Sequence, residues 1–397
     1  MRIFNVILFC ASFATGQSIT IDSVVVLSKA TVLPFIEARI FQPISGSEVQ
    51  KETSILFDNI KTDTPFLSDK TQFTLARFNQ NKIAAVIHFD PHFDSHVSGM
   101  IGTGKTPEGT WESQGELNLH LENVWGTIGT IDVNWHRRDL SSQYTDIQIV
   151  EPYLPIIPIG IKFGWKEHLQ EGFTLLRSKT VSTIFHANNG WKWDTGIKKT
   201  EINPTENGLL NGYKSSSSDM MVFGLSKNSV NHRWLPTVGF RMKTLFDYGI
   251  EKKENKRSAI SGFKFETEYF HPFKSSWIWM AGLKGQGIFS ESGEILSSQK
   301  IQFGGMASLR GFREDFFKAD WVVIPTIEIR YALFNRMQFS AFIESGLHSE
   351  VYQYPVSYGF GLIQESDAAI IKLFYGVGTG NSPSEDGTIH IQFIGLL

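Results

Sequence analysis

From residue 92 to its end the chain alternates apolar and polar residues in runs of roughly ten, separated by turns, with no helical period. The pattern predicts sixteen strands between residues 93 and 396, among them 219–226, 235–247, 259–270, 276–289, 321–332 and 336–346. So many half-apolar strands need one common place for their polar faces. Glu116, Asn118, His120 and Glu122 alternate with Leu117, Leu119 and Leu121. A charge turned to lipid at mid-membrane costs ~2–4 kcal/mol, so in a membrane cylinder these side chains point inward. Short connections (124–126, 187–190, 333–335, 365–367) alternate with long polar ones (202–218, 251–257, 290–320), the rhythm of an up-and-down antiparallel barrel. No stretch holds the ~18 uninterrupted apolar residues of a helical span.

Composition points the same way. Phenylalanine (32), tryptophan (10), tyrosine (10) and glycine (35) are plentiful although hydrophobic content is an ordinary 41%. Interfacial aromatic girdles account for that combination. A net charge of −3 and a pI near 6.4 exclude the basic footprint of a nucleic-acid binder.

At the N-terminus, Arg2, the apolar run Ile3–Phe13 and the small residues Ala14-Thr15-Gly16 read as a signal peptide over 1–16. The alternative, a lipoprotein signal lipidated at Cys10, lacks a small residue before the cysteine. Residues 17–91 predict a separate α+β domain. Its elements are a strand over Ile19–Leu27, a helix over Thr31–Phe41, a second helix opened by Ser47 with Gln50 as capping-box partner, and a hairpin of Phe73–Phe78 with Lys82–Phe89.

Between the eleventh and twelfth predicted strands lies Phe303-Gly304-Gly305-Met306-Ala307-Ser308-Leu309-Arg310-Gly311-Phe312. An arginine set among glycines and aromatics suits a loop folded back into an enclosed space, where its guanidinium needs a carboxylate. Alternation in the next strand places Thr326, Glu328 and Arg330 on the polar face, with Trp321, Val323, Ile327, Ile329 and Tyr331 opposite. In the strand after that, Gln338, Ser340 and Glu344 share the polar face. Glu328 and Glu344 are therefore candidate partners of Arg310. A loop arginine solvated at the surface is the plain alternative.

Leu309-Arg310-Gly311-Phe312 and Phe342-Ile343-Glu344-Ser345-Gly346 resemble two motifs of the bacterial surface-antigen superfamily, the BamA-type insertases and two-partner-secretion translocators. There a (V/I)-R-G-F/Y loop inside the barrel meets an F-x-D-x-G strand. Here leucine replaces Val/Ile and glutamate replaces aspartate, which keeps the charge and adds a methylene. Further echoes are Glu151-Pro152-Tyr153-Leu154-Pro155 and Trp234-Leu235-Pro236-Thr237-Val238-Gly239. The resemblance implies a 16-stranded antiparallel transmembrane β-barrel over 92–397, with loop 290–320 folded inward, behind one POTRA-like domain over 17–91. It implies an outer-membrane location with the POTRA-like domain in the periplasm, and insertion or translocation of client proteins. One such domain, where the central insertase has several, implies a specialised or accessory role. A two-partner-secretion pore and a passive or structural barrel are the other readings. The partners implied are outer-membrane lipids, extended clients at the POTRA edge, and accessory periplasmic or lipoprotein subunits, with no nucleic acid. The lateral seam would involve the last strand, with Ile389, Ile391 and Phe393 outward and Gly395 weakening its pairing.

No residue set indicates catalysis, a cofactor or a metal, so no enzymatic activity is expected. His88, His92 and His96 recur at four-residue spacing, ~13 Å apart in extended chain, too far for one ion. Gly102-Thr103-Gly104-Lys105-Thr106 lacks P-loop spacing and a following helix and is read as a hairpin tip. No Gly-x-Ser-x-Gly elbow occurs.

Overall fold

A computed structural model describes residues 19–28, 32–49, 51–64, 66–67, 70–79, 82–105, 111–139, 141–187, 190–254, 256–334, 336–350, 354–379 and 387–397. The expected signal peptide lies outside the described residues. A small α+β unit comes first: β1 (Ser23–Ser28), α1 (Pro34–Phe41), a 3₁₀ turn (Gln42–Ile44), α2 (Lys51–Asp63), β2 (Gln72–Asn79) and β3 (Lys82–Phe89). β3 is central, parallel to β1 and antiparallel to β2. Its Ala85, Ile87 and Phe89 are buried against Ile36, Ile40, Phe41, Ile44 and Phe57 of the helical layer. Each large side chain so covered contributes ~1.5–3 kcal/mol.

Helix starts differ from expectation. α1 begins at Pro34, whose fixed φ and missing N–H suit a first turn. α2 begins at Lys51, beyond Ser47, because Ser47 Oγ is taken by Ile44 O and Thr53 Oγ1, both at 2.8 Å. The Glu48 N–H instead donates to the Glu52 carboxylate at 2.6 Å; Gln50 lies outside the described residues.

α1 abuts one end of the barrel, the near end. The Leu33 N–H donates to Gly126 O at 2.9 Å, and Ile128 and Tyr153 from two barrel turns join the small unit's core. In α1, burial pushes the Glu37 carboxyl up to about 7, opposed by a hydrogen bond from Ser28. The folded unit thus favours the protonated acid. That contribution is whole below the ordinary carboxylate range and is lost as pH rises through about 7. Protection of α1 amides in the full chain, taken relative to their intrinsic base-catalysed exchange rates, should fall between about pH 5 and 7, and Glu37→Gln should flatten that fall; an equal loss of protection in the variant would remove Glu37 as its source.

The remainder is a closed barrel of sixteen antiparallel strands. In order they are β4 (His96–Lys105), β5 (Trp111–Val124), β6 (Gly129–Asp139), β7 (Ser142–Glu151), β8 (Ile159–Gln170), β9 (Thr174–His186), β10 (Lys192–Pro204) and β11 (Ser216–Asn228). They continue with β12 (Gly239–Lys253), β13 (Lys256–Lys274) and β14 (Trp277–Ser290). A loop carrying the short pair β15 (Ile301–Phe303) and β16 (Phe317–Ala319) intervenes. The cylinder resumes with β17 (Trp321–Leu333), β18 (Met337–Ser345) and its continuation β19 (Leu347–His348), then β20 (Val356–Glu365), β21 (Ala369–Gly378) and β22 (Thr388–Leu396). Ile197, Met221, Phe246, Phe360 and Ile391 are exposed on the outer wall, a band of apolar surface that suits lipid. Among the described residues no helix is long and apolar enough to cross a membrane.

Three expected boundaries are corrected. The strand expected over 235–247 begins only at Gly239, and the residues before it turn into the lumen. The loop expected over 251–257 is instead the tip of a long hairpin, since β12 and β13 pair as far as Lys253↔Lys256. Charged side chains there made it read as a loop, although they belong to strands. Gly102–Lys105 likewise lies on β4, not at a tip; Thr106 is outside the described residues.

The barrel closes thinly. Among the described residues β22 and β4 pair at Gly395↔Val97 and Leu396↔His96 alone, whereas β4 pairs with β5 along the whole of His96–Lys105. The Leu397 N–H adds a bond to Ser95 O at 2.8 Å.

Candidate functional site

The lumenal site is assembled by one loop and three strands. At the loop's base Ile301↔Ala319 and Phe303↔Phe317 pair, and Ile301, Phe303, Leu309, Phe312 and Ala319 bury against Val322 and Ile324 of β17. The Ser308 hydroxyl donates to Gly304 O and accepts the Gly304 N–H, both at 2.8 Å. This fixes the turn that delivers Leu309-Arg310-Gly311-Phe312 to the wall.

Each residue of that tetrad meets a fitted place. Leu309 is buried against Gly346, where an added Cβ would lie 3.2 Å from Leu309 Cδ2 and 3.1 Å from Pro355 Cγ. Gly346 interrupts the wall between β18 and β19, and Ile324 and Pro325 of β17 pair with neither. Pro325 therefore stands where its missing N–H leaves no ladder bond unmade on that side. Gly311 has φ of +86°, and a Cβ on it would lie 2.9 Å from the Val377 backbone. Only glycine brings the loop this close to β21. Phe312 lies over Gly378.

Arg310 projects into a pocket of charge. Its Nε donates to Glu344 Oε1 at 2.9 Å, and Nη2 donates to Glu344 Oε1 at 2.5 Å and to Glu328 Oε1 at 2.6 Å. Its own backbone N–H donates to Glu344 Oε2 at 2.9 Å. Register explains the convergence: Thr326 faces Glu344 and Glu328 faces Phe342 across the β17–β18 pair. The structure thus brings Arg310, Glu328 and Glu344 together.

Sequence reasoning missed the rest of the set. Arg330 Nε donates to Glu328 Oε2 at 2.8 Å, and Thr326 Oγ1 donates to Glu344 Oε1 at 3.3 Å. The four charges of Arg310, Arg330, Glu328 and Glu344 cancel and are all buried. The Arg310 guanidinium carbon lies 3.6 Å from the Phe342 ring centre and 4.9 Å from that of Phe374. These faces add attraction where water is scarce. Arg330 could have been found, since alternation puts it on the face of Glu328. Phe342 shares the face of Glu344 by the same count, but an aromatic there carries no mark of its role. Phe374 lies on β21, and nothing local points to it.

The seam residues sit on β22. Ile389, Ile391 and Phe393 are exposed on the outer face, and Gly395 faces Val97 with no atom closer than 3.7 Å to an added Cβ. Of the spaced histidines, His96 begins β4 and packs inside against His120, with ring centres 4.8 Å apart. Among the described residues no group of three His, Cys, Asp or Glu is placed to hold a metal ion.

Comparison with solved structures finds the same architecture. BamA from Haemophilus ducreyi lacking POTRA domains 1–3 aligns at a TM-score of 0.57 and 13% identity, over 98% of this chain and 88% of that one. CdiB from Escherichia coli aligns at 0.61 and 13%, over 94% and 76%. CdiB from Acinetobacter baumannii aligns at 0.57 and 14%, over 94% and 73%. At such identities the likeness is one of fold. No curated sequence matches. A description of the Omp85 superfamily domain matches residues 168–395, a span that holds the arginine loop, both glutamate strands and the last strand. The chain belongs to the Omp85 superfamily.

Proposed function

We propose that this chain is an outer-membrane barrel that inserts or translocates client proteins, in a specialised or accessory role and without covalent chemistry. Its small N-terminal unit is a single POTRA-like domain in the periplasm. The observation that carries this reading is the thin closure between β22 and β4. Among the described residues the backbone of β22 along Thr388–Phe393 has no β4 partner, although Ile389, Ile391 and Phe393 face outward. Unpaired backbone groups in a membrane cost several kcal/mol each, and an incoming client strand would supply their partners. The exposed edge of β2 in the small sheet offers a first place for an extended client. The arginine clamp holds the wall beside the seam rigid while the seam opens.

The test pairs planar-bilayer conductance of the purified chain with a liposome assay of client-barrel insertion. Insertion with small, flickering conductance is expected. Steady, large conductance without insertion would replace this reading with a secretion pore or passive channel.

A further inference from the structure

The connection between β11 and β12, Ser229–Val238, does more than turn the chain. It is a rigid knot. Asn231 Oδ1 accepts the N–H groups of Thr237 and Val238 at 3.0 and 3.1 Å, and Asn231 Nδ2 donates to Thr237 Oγ1 at 2.8 Å. His232 Nδ1 accepts the N–H of Leu235 at 3.2 Å. So braced, the knot enters the barrel from the near end and Leu235 is buried there.

Its side chains reach both sides of the seam. Toward β4 and β5, Arg233 Nη2 donates to Glu122 Oε1 at 2.6 Å, and Nη1 stands 3.4 Å from Asp94 Oδ2, just before β4. The Trp234 ring stands edge-on to His96, the first residue of β4, with centres 5.1 Å apart. Toward β21 and β22, Leu235 shares a core with Ile370, Phe374 and Ile394. Lys372 of β21 places its ammonium 5.4 Å from the same Trp234 ring. One indole therefore touches strands on opposite sides of the closure. His232 Nε2 lies 3.5 Å from Glu365 Oε2 at the end of β20. Pro236 O accepts from Gln338 Nε2 at 3.3 Å, and Gln338 Oε1 lies 3.5 Å from Arg330 Nη1, which ties the knot to the arginine clamp.

The two β22–β4 rungs are neutral backbone bonds at the very end of the barrel. A charge-assisted bond such as Arg233 to Glu122 is roughly twice as strong as a neutral one. We propose that Ser229–Val238 is an internal staple that holds the seam shut, with Arg233 and Trp234 as its positioning residues. Opening then requires release of the staple and not only the parting of β22 from β4. The role of that opening in client handling rests on the function proposed above; the staple itself does not.

Hydrogen exchange on the full chain in liposomes, without client, tests it. Arg233→Gln and Trp234→Leu should speed exchange in peptides covering β4 and β22 by tenfold or more, while peptides from β7 to β9 change less than twofold. Unchanged exchange at the seam in folded barrels would overturn the staple, and so would an equal rise around the whole cylinder. Should either variant fail to fold, Arg233→Lys, which keeps the charge and loses the planar fork, is read by the same two criteria. The readout contains no client, so its failure and a failure of client insertion are separate results.

Discussion

Arg310→Ala should lower the stability of the folded barrel by ~3–5 kcal/mol, the cost of removing one partner from a buried ionic set. The loss falls mainly on Glu344. Glu328 retains Arg330 at 2.8 Å, but Glu344 loses both guanidinium bonds and keeps Thr326 and one backbone N–H. Arg310→Ala combined with Glu344→Gln should therefore recover part of the loss, because the amide removes the orphaned charge. Arg310→Lys should fall between parent and alanine, since an ammonium cannot copy a fork that reaches two carboxylates. The midpoint of heat-modifiable gel mobility reads all three. An unchanged midpoint together with unchanged activity in Arg310→Ala would show that the clamp braces nothing.

Gly311→Ala should produce a loss of the same order without touching a charge. A side chain at φ of +86° is strained by ~1–3 kcal/mol. The new Cβ would also lie 2.9 Å from the backbone of Val377. β21 cannot withdraw freely, because β20 and β22 flank it. The loop must then lift, and Arg310 leaves its carboxylates. Gly311→Ala and Arg310→Ala act through one event, so the double variant should be little worse than either single variant. Additive losses would show that seating the backbone and forming the ion pairs are independent.

Much of this arrangement is legible in the residues. Period-two alternation alone puts Glu328 and Glu344 on one face of adjacent strands, and the glycine-flanked Arg310 is the obvious cation for them. What local pattern does not carry is register over distance and the choice between outward and inward turns. Leu235-Pro236-Thr237-Val238 alternates well enough to read as the opening of a strand. Its inward course depends on Glu122, Ile370 and Ile394, which belong to strands far away in sequence. Phe374 reaches Arg310 only because Gly311 brings the loop against β21. The hairpin of β12 and β13 was hidden for another reason. Glu251, Lys252, Lys253 and Glu254 look like a solvated loop, yet Glu251 is fully buried and accepts bonds from Ser216 and Gln299, both at 2.7 Å.

Separation along the chain also bears on assembly. Arg310 finds its carboxylates 18 and 34 positions downstream, whereas Arg233 reaches back 111 positions to Glu122, and Pro236 bonds a residue 102 positions ahead. Closing a loop costs more entropy as it lengthens, and low contact order favours early structure. The C-terminal third should therefore form first, as an open, curved sheet already locked by its arginine. The knot from β11–β12 and the meeting of β22 with β4 should come last. A nascent barrel would on this order carry its rigid C-terminal third before it has an inside, and its final step would be the one whose reversal opens the finished molecule.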